Sequence, residues 1–204
     1  MLKAKEKKER ALGVKLFLKA ERCSSPKCAT VRRPGRPGQH GKARRKTISE
    51  YGQQLMEKQK IMFSYGLRES QMRRIFKEAL GKKTNVIDAI FGLLERRLDN
   101  VVYRLGIAPS RIMARQFVSH GHITVNGKKT TIPSFLVKKG DMISIRASSA
   151  DLAIFKELQN NLKKYEAPSW LFMDKEKLQG TMKATPVANE TMFDINLVVD
   201  FYSK

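Results

Sequence analysis

The chain has 204 residues, with 41 Lys and Arg against 19 Asp and Glu, so its formal net charge at pH 7 is +22. An excess of this size predicts a polyanionic partner, because phosphates neutralise such a surface. No segment approaches the roughly 18 consecutive apolar residues that a membrane span needs, and the charged opening argues against a secretory signal. Two cysteines are too few for a disulfide scaffold, which favours a reduced, cytoplasmic protein.

The basic residues are concentrated in two segments. Residues 1–48 carry 16 basic and 3 acidic residues, and residues 91–150 carry 10 and 3. Residues 151–204 carry 7 basic and 8 acidic residues. We therefore expect the first two segments to face the polyanion and the C-terminal quarter to face elsewhere. A merely solvated, highly charged surface is the alternative.

The segment 1–48 is predicted to be a basic, loop-like arm. From Arg32 to Gly41 it reads RRPGRPGQHG, and proline and glycine at this density favour turns over helix or strand. The basic run of residues 42–46 follows directly. Such loops typically become ordered on nucleic acid. A flexible linker or a localisation-type basic run is the alternative.

Three amphipathic helices are predicted between residues 49 and 94. The first follows Ser49, a favoured N-cap residue, and carries Tyr51 on its apolar face. The second runs from about residue 69 to 80, and Thr84 caps the third. Apolar residues at helical spacing in these segments predict core packing, not a cofactor site.

Two further helices are predicted after residue 95. One follows Asp99, which we interpret as its N-cap, and ends at Gly106. The other begins after Ser110, and its Arg111 and Arg115 are four residues apart, so they are predicted to share one exposed face.

The remaining sequence predicts a small sheet and a docked C-terminus. Asn126-Gly127 between short apolar stretches is a strong hairpin signal, and residues 142–145 read as another strand. Two helices on a small antiparallel sheet make the fold class α+β. A helix is predicted over residues 152–164, with Leu152 among its buried residues. Residues 197–202 are apolar enough to dock, as either strand or helix.

These residues carry a resemblance to a known family. The stretch LDNVVYRLGIAPSRIMARQFVSHGHITVNGK at 98–128 closely resembles the S-four RNA-binding domain. That domain also occurs in pseudouridine synthases, tyrosyl-tRNA synthetases and a heat-shock RNA-binding protein. PGQHG at 37–41, SEYGQQLMEKQK at 49–60 and LVVDFYSK at 197–204 are similar to the bacterial ribosomal protein S-four family itself. The resemblance runs from about Gly13 to Lys204.

The resemblance implies an organisation in which the S-four domain is inserted into a helical domain. Residues 1–48 would be the rRNA-binding arm, and residues 49–92, completed by about 178–204, the helical domain. Residues 93–177 would hold the S-four domain and a following helix.

The resemblance also implies a function without catalysis. Family members are structural constituents of the small ribosomal subunit that bind the five-prime domain of 16S rRNA early and nucleate assembly of the body. They lie near the channel through which mRNA enters, and with ribosomal protein S-five they contribute to translational accuracy. We accordingly expect 16S rRNA, mRNA and S-five as partners, no membrane association, and no homo-oligomer.

The resemblance implies rRNA contacts from the arm, the helical domain and the S-four domain. The expected rRNA-binding residues are Arg32, Arg33, Arg36, Gln39, His40, Arg44, Arg45, Arg73, Arg74, Arg104, Arg111, Arg115, His120, His122, Asn126 and Lys128. The expected residues beside the incoming mRNA are Lys42, Arg44, Arg45 and Lys46. Three alternatives stay open. His40 would make no rRNA contact, Arg73 and Arg74 would be solvated charges on their helix, and Arg104 would pair with Asp99.

Cys23 and Cys28 form a Cys-x4-Cys half-site. Some family members complete a tetrahedral zinc site with an upstream cysteine pair, whereas Glu6 and Glu9 stand at the matching positions here. A structural site of two cysteines and two glutamates would be unusual. We therefore expect no cofactor, with zinc at the half-site as the alternative.

An enzyme and a non-ribosomal binding module are the two alternative functional classes. Arg97-Leu98-Asp99 resembles the tripeptide around the catalytic aspartate of pseudouridine synthases, but the sequence leaves no room for a separate catalytic domain. It has no paired carboxylates, activated nucleophile or phosphate-binding glycine loop at useful spacing, so an enzyme is not expected. A non-ribosomal RNA chaperone or rescue factor is excluded only by the family-like flanks at 37–60 and 197–204.

Overall fold

The computed structural model describes residues 6–43, 47–82, 85–156, 158, 162, 165–188 and 193–203, without the side chains of residues 21 and 42. It divides into two compact units. The first comprises the chain up to Ile90 together with the segment from Ala188, and the second is Phe91–Val187. The strand Gln179–Met182 therefore lies in the second unit, whereas the sequence indicated a boundary at 177. That strand pairs within the sheet of the second unit, which explains the difference.

The first unit is helical, including most of its N-terminal part. Its elements are α1 (Glu6–Leu12), α2 (Ala20–Ser24), α3 (Ala29–Arg32), a 3-10 helix (Gln39–Lys42), α4 (Glu50–Ser64), α5 (Glu69–Leu80), the beginning of α6 (Val86–Glu95), and α11 (Ile195–Ser203).

The prediction of a loop-like arm is wrong for residues 6–32. Three short helices form there because apolar side chains have a common core to enter. The buried residues are Leu12, Leu16, Leu18, Cys23 and Cys28. The 3-10 helix also interrupts the Pro/Gly-rich stretch that was predicted to hold no regular element.

The two long helices of this unit largely follow their sequence signals. Ser49 is confirmed as the N-cap of α4, since its Oγ accepts a hydrogen bond from the Gly52 N–H at 3.2 Å. Tyr51, predicted on the apolar face, is 61% exposed and meets only the Phe201 ring, 5.6 Å away between centroids, among the described aromatic contacts. The predicted cap Thr84 lies outside the described residues.

The C-terminal segment forms a helix and docks, which resolves the choice between strand and helix. Helix α11 packs on α4 and α5 of its own unit. The Tyr202 ring lies 4.7 Å from that of Phe76, and its hydroxyl donates to Glu69 Oε1 at 3.0 Å. Lys58 Nζ of α4 lies 3.2 Å from Glu69 Oε2 and 4.1 Å from the Phe201 ring centroid.

The second unit is an α+β domain, as predicted. It contains the end of α6, then α7 (Leu98–Arg104), α8 (Arg111–Ser119), β1 (Ile123–Val125), β2 (Lys128–Lys129), β3 (Met142–Ile145), α9 (Ala147–Ala150), α10 (Ala153–Lys156), β4 (Leu171–Asp174) and β5 (Gln179–Met182). The strands form one antiparallel sheet in the order β2-β1-β3-β5-β4.

One face of this sheet carries the core of the second unit. Ile143 of β3 pairs with Gly180 of β5, and both are buried on the face that meets α7. A methyl group at Gly180 would collide with the Leu105 side chain at the end of α7. Glycine at this position therefore lets helix and sheet approach closely.

Local signals in this unit are mostly confirmed. Asn126 and Gly127 have φ of 50° and 78°, so the predicted hairpin turn is present between β1 and β2. Within the predicted helix 152–164, Ala153–Lys156 forms α10, and Phe155 is buried. Leu152 is 42% exposed, contrary to the prediction. Across the described ranges, no helix has both the length and the apolarity required to cross a membrane.

Candidate nucleic-acid interface

Two buried carboxylates organise a group of arginines in the second unit. Glu95, the last residue of α6, is fully buried and binds Arg104 of α7 through two hydrogen bonds. Arg104 Nε donates to Glu95 Oε2 at 2.9 Å and Nη2 to Oε1 at 3.0 Å. Arg111 Nη2 of α8 lies 3.9 Å from the same Oε1. One carboxylate thus fixes arginines from two helices.

Asp99, in the first turn of α7, does the same for a second pair. Arg97 donates to its two oxygens at 3.2 and 3.0 Å. Arg115 of α8 donates to Oδ2 from Nε at 3.0 Å, and its Nη2 lies 2.8 Å away. The planar guanidinium suits such two-point binding of carboxylates.

Asn100 joins the two carboxylate sites. Its Nδ2 donates to both the backbone oxygen and Oε2 of Glu95 at 2.9 Å, and its Oδ1 accepts from Arg111 Nε at 2.7 Å. The Arg111 guanidinium also lies over the Tyr103 ring, 4.6 Å from its centroid, which adds a cation–π interaction. We call Arg97, Arg104, Arg111 and Arg115, with Glu95, Asp99 and Asn100, the arginine cluster.

The geometry corrects two sequence predictions and gives Arg104 a partner that was not among the alternatives. Asp99 is not an N-cap: Arg97 holds that position, and the Leu98 and Asp99 N–H groups donate to the backbone oxygens of Phe135 and Pro133. Arg104, for which Asp99 was the alternative partner, binds Glu95. Arg111 and Arg115 face the same side, but their side chains are only 16% and 21% exposed because they reach the carboxylates.

The hairpin residues predicted to bind RNA have different surroundings. His120 and Lys128 are exposed. His122 is half-buried, with Nδ1 3.0 Å from Ser149 Oγ and its ring edge-on to Phe155. The Asn126 side chain is engaged in the hairpin, donating to Asp141 Oδ1 and accepting from the Met142 N–H, both at 2.9 Å.

The Pro/Gly-rich loop of the first unit presents the predicted arm residues to solvent: Arg32, Arg33, Arg36, Gln39 and His40 are all exposed. The loop nevertheless has fixed contacts. Arg10 of α1 donates to the Gly35 oxygen from Nε at 3.1 Å and from Nη2 at 2.9 Å. Gly41 abuts the Arg36 backbone so closely that a Cβ there would collide with the Arg36 carbonyl oxygen.

The remaining predicted residues divide between α5 and undescribed positions. Arg73 and Arg74 are exposed on α5, and Arg73 Nε lies 3.6 Å from Glu69 Oε1. Arg44, Arg45 and Lys46 lie outside the described residues, as does the side chain of Lys42.

The cysteine half-site lies in a buried, hydrogen-bonded environment in the first unit. Glu9 Oε1 accepts the Leu16 and Leu18 N–H groups at 2.8 and 3.2 Å, and its Oε2 lies 4.0 Å from Cys23 Sγ. Cys28 Sγ lies 2.9 Å from Thr30 Oγ1. Burial raises the pKa of the Cys23 thiol, and the nearby Glu9 carboxylate adds to that rise.

The contacts of Glu9 and Glu6 do not favour a zinc site. Glu9 is committed to the backbone, and Glu6 lies 3.1 Å from the Arg22 guanidinium. The raised pKa of Cys23 opposes the thiolate form that zinc requires, whereas the side-chain hydrogen bond with Thr30 lowers the pKa of Cys28. Within the described ranges, no three His, Cys, Asp or Glu side chains are grouped to hold a metal.

Sequence reasoning missed the residues that orient the arginines. Glu95 and Asn100 were not singled out, Arg97 was considered only as part of a catalytic-like tripeptide, and Asp99 was considered as a cap and as an alternative partner of Arg104. A signal was present: the basic segment 91–150 contains only three acidic residues, Glu95, Asp99 and Asp141, and all three are engaged in hydrogen bonds.

Comparison with known families and proteins agrees with this architecture. The family model for the "Ribosomal protein S4/S9 N-terminal domain" matches residues 1–95, and that for the "S4 domain" matches residues 96–143. The arginine cluster spans both matches.

Whole-chain relatives are small-subunit ribosomal proteins. The chain is 49% identical to "Small ribosomal subunit protein uS4" of Gloeobacter violaceus over 96% of this chain and 94% of the relative. It is 47% identical to the protein of the same name from Thermus thermophilus over 94% and 93% of the two chains. The chain is thus a structural, non-enzymatic and rRNA-binding component of the small ribosomal subunit, of bacterial type. It belongs to the uS4 family of small ribosomal subunit proteins.

Proposed function

We propose that this protein is a primary binder of the five-prime domain of 16S rRNA that nucleates assembly of the subunit body. The observation that carries the proposal is the arginine cluster, in which four guanidiniums face two buried carboxylates and leave a net positive charge. A folded RNA junction offers closely spaced phosphates, for which fixed guanidiniums are suited partners.

The affinity arises mainly from counterion release, because each phosphate that an arginine or lysine neutralises frees condensed cations. Double-stranded RNA has a deep, narrow major groove that side chains scarcely read. The protein therefore recognises the junction by its shape and backbone. Arg32, Arg33 and Arg36 of the exposed loop contribute phosphate contacts, and Gln39 and His40 supply groups for 2′-hydroxyls or base edges.

The other residues of this proposed rRNA surface follow from the same chemistry. Arg104, Arg111 and Arg115 contribute from the arginine cluster, and His120 and Lys128 from the exposed hairpin. Arg73 and Arg74 extend the surface from α5, and Arg44 and Arg45 extend it from the basic run. His122 and Asn126 contribute by holding the hairpin in shape, since they form hydrogen bonds with Ser149, Asp141 and Met142.

Direct binding tests this proposal. We expect the purified protein to bind a transcript of the 16S five-prime domain, without other ribosomal proteins, at least about a hundredfold more tightly than a 16S three-prime-domain transcript of equal length. At that ratio the free-energy difference is about 2.7 kcal/mol. Equal affinity for the two transcripts would overturn the assignment of a primary binding site.

A second part of the proposal concerns incoming mRNA. Lys42, Arg44, Arg45 and Lys46 would line the path by which mRNA enters, because a run of adjacent cations attracts a single strand without reading its sequence. Changing all four to Gln should slow translation of mRNAs with a stable hairpin and spare unstructured mRNAs. Equal rates of the altered and unaltered ribosomes on structured mRNA would contradict this role.

Contact with ribosomal protein S-five is the third part, and through it an influence on decoding accuracy. The near-neutral charge of residues 151–204 supports a protein-facing side there. Asp174 Oδ1 caps the turn between β4 and β5 by accepting the Glu176 and Lys177 N–H groups, which presents a fixed acidic corner. Charge reversal at Glu176 should weaken S-five binding and raise miscoding; unchanged values of both would refute it.

The fourth part is that the protein folds without zinc. The two backbone hydrogen bonds that Glu9 Oε1 accepts support this. We expect chelator-washed protein to retain well under one equivalent of zinc and its helical circular dichroism to be unaffected by the chelator. Retention of about one equivalent, or loss of helix on chelation, would show that Cys23 and Cys28 hold a metal.

A further inference from the structure

The arginines of the second unit are held by acids that a purely cationic surface would not need. Glu95 is fully buried and Asp99 nearly so, and each binds guanidiniums from two directions. An RNA-binding surface loses attraction for phosphate with every carboxylate it contains. We therefore expect the two carboxylates beside the three partly exposed arginines to have a role that offsets this loss of attraction.

The geometry identifies that role as orientation. A free arginine side chain loses rotamer entropy when it is fixed on a ligand. Arg104 is already fixed by two hydrogen bonds to Glu95, and Arg115 is fixed by Asp99. Arg111 is held from three sides, by Glu95, Asn100 and the Tyr103 ring.

The exposure of these side chains separates them into two groups. Arg97 is 6% exposed, so it serves the fold. Arg104 is 33% exposed and Arg115 21%, so each side chain reaches the surface while its guanidinium is anchored. A guanidinium has five N–H donors, which allows it to bind a carboxylate on one edge and a phosphate on another.

We propose that Glu95, Asp99 and Asn100 are positioning residues that hold Arg104, Arg111 and Arg115 as a preorganised phosphate-binding site for the RNA backbone. This inference rests on the rRNA-binding function proposed above. It adds that the acids strengthen RNA binding although they carry the same charge as RNA.

The sign of one substitution tests the inference. Asp99→Asn raises the net charge by one and keeps the side-chain shape. A simple polycation would bind RNA more tightly after this change. The positioning role predicts the opposite, at least about a fivefold loss of affinity for the five-prime-domain transcript, because an amide offers Arg97 and Arg115 one neutral acceptor oxygen and confronts them with N–H donors. Asp151→Asn is the matched control, since Asp151 is exposed on the same unit and its change should leave affinity unchanged or slightly tighter.

The salt dependence supplies a second readout. RNA affinity falls as salt rises, and loss of one phosphate contact makes this dependence shallower, by about one unit of slope. A general loss of stability does not have this effect. We expect a shallower salt dependence for Asp99→Asn and an unaltered one for Asp151→Asn. An equal or tighter affinity with an unchanged slope would overturn the inference.

A second variant keeps the test decisive if Asp99→Asn fails to fold by circular dichroism. Arg104→Lys retains the charge on a partly exposed side chain but loses the two-point bond to Glu95. We expect at least about a threefold weaker RNA binding; wild-type affinity would refute the positioning role. If the wild-type protein itself shows no preference for the five-prime domain, the proposed function fails, and that outcome is separate from any ranking of the variants.

Discussion

At the residue scale, Glu9 shows how a buried charge orders the N-terminal part of the chain. Its carboxylate is fully buried, and Oε1 accepts two backbone N–H groups that follow α1, from Leu16 and Leu18. Hydrogen bonds to a charged acceptor contribute more than neutral ones, and leaving both donors without partners in a buried site is costly. Glu9 therefore holds the connection between α1 and α2.

We expect Glu9→Ala to lower the free energy of unfolding by about 3 kcal/mol, from the loss of two charge-assisted hydrogen bonds and the space left behind. Glu9→Gln should cost less, because its amide oxygen can still accept both N–H groups. Urea unfolding followed by circular dichroism measures the change, and hydrogen exchange at Leu16 and Leu18 reports on it locally.

Glu166→Ala is the matched control for that experiment. Glu166 is exposed, and surface substitutions of this kind usually change stability by less than about 0.5 kcal/mol. If Glu9→Ala cost no more than this control, the buried carboxylate would not be holding the two backbone groups.

At the element scale, the Pro/Gly-rich loop is a shaped structure and not a free tether. Gly41 packs against the Arg36 backbone, and Arg10 binds the Gly35 oxygen. A backbone atom cannot rotate away as a flexible side chain can. An added methyl group at Gly41 must therefore open the loop.

We expect Gly41→Ala to weaken binding of the five-prime-domain transcript at least about fivefold, since reordering exposed side chains costs about 1 kcal/mol. The melting temperature should stay near that of the wild type, because the loop is exposed. Gly35→Ala is the control in the same loop: its nearest neighbour would be the Gly41 oxygen at 3.9 Å, an ordinary contact. Equal affinities for both variants would mean that the loop shape does not matter.

The docking of α11 makes the first unit sensitive to acid. Burial alone would raise the pKa of Glu69, but hydrogen bonds from Lys58 and Tyr202 outweigh it and lower the pKa below the usual 4.5. Burial and the hydrogen bond to Glu69 raise the pKa of Tyr202. For a carboxyl with a depressed pKa, stabilisation is present above the unfolded pKa and is lost as pH falls through the folded one.

We therefore expect the wild type to lose more unfolding free energy than Glu69→Gln when the pH falls from about 6 to about 3. Denaturant unfolding at a series of pH values measures this difference. Glu78→Gln, which removes a more exposed carboxylate from the same helix, should retain the wild-type pH dependence. Parallel pH profiles for the wild type and Glu69→Gln would show that Glu69 is not the source of the acid sensitivity.

At the scale of the whole molecule, local signals predicted the elements that local chemistry determines. Ser49 caps α4 and Asn126-Gly127 forms the hairpin, because each needs only its neighbouring residues. The strands β4 and β5 were missed. Each has four residues, and β5 pairs with the distant β3, so its stability comes from partners that the local sequence does not show.

The candidate site was predicted only in part for the same reason. Clustered basic residues pointed to Arg104, Arg111 and Arg115, but not to their orientation. Glu95 and Asp99, which orient these arginines, meet the arginines of α8 only after folding. A count of charges along the segment therefore could not show that these two acids bind arginines. Likewise the helices of residues 6–32 form around a shared core, a tertiary effect that short segments do not reveal.

We propose that this protein recognises the five-prime domain of 16S rRNA by itself and by shape. Chemical footprinting of naked small-subunit rRNA with the purified protein, across a series of salt concentrations, tests it most directly. The account predicts protection confined to a helical junction of the five-prime domain that persists at moderate salt, while weaker contacts elsewhere disappear. Diffuse protection that fades uniformly as salt rises would contradict it, because that is the behaviour of a general polycation.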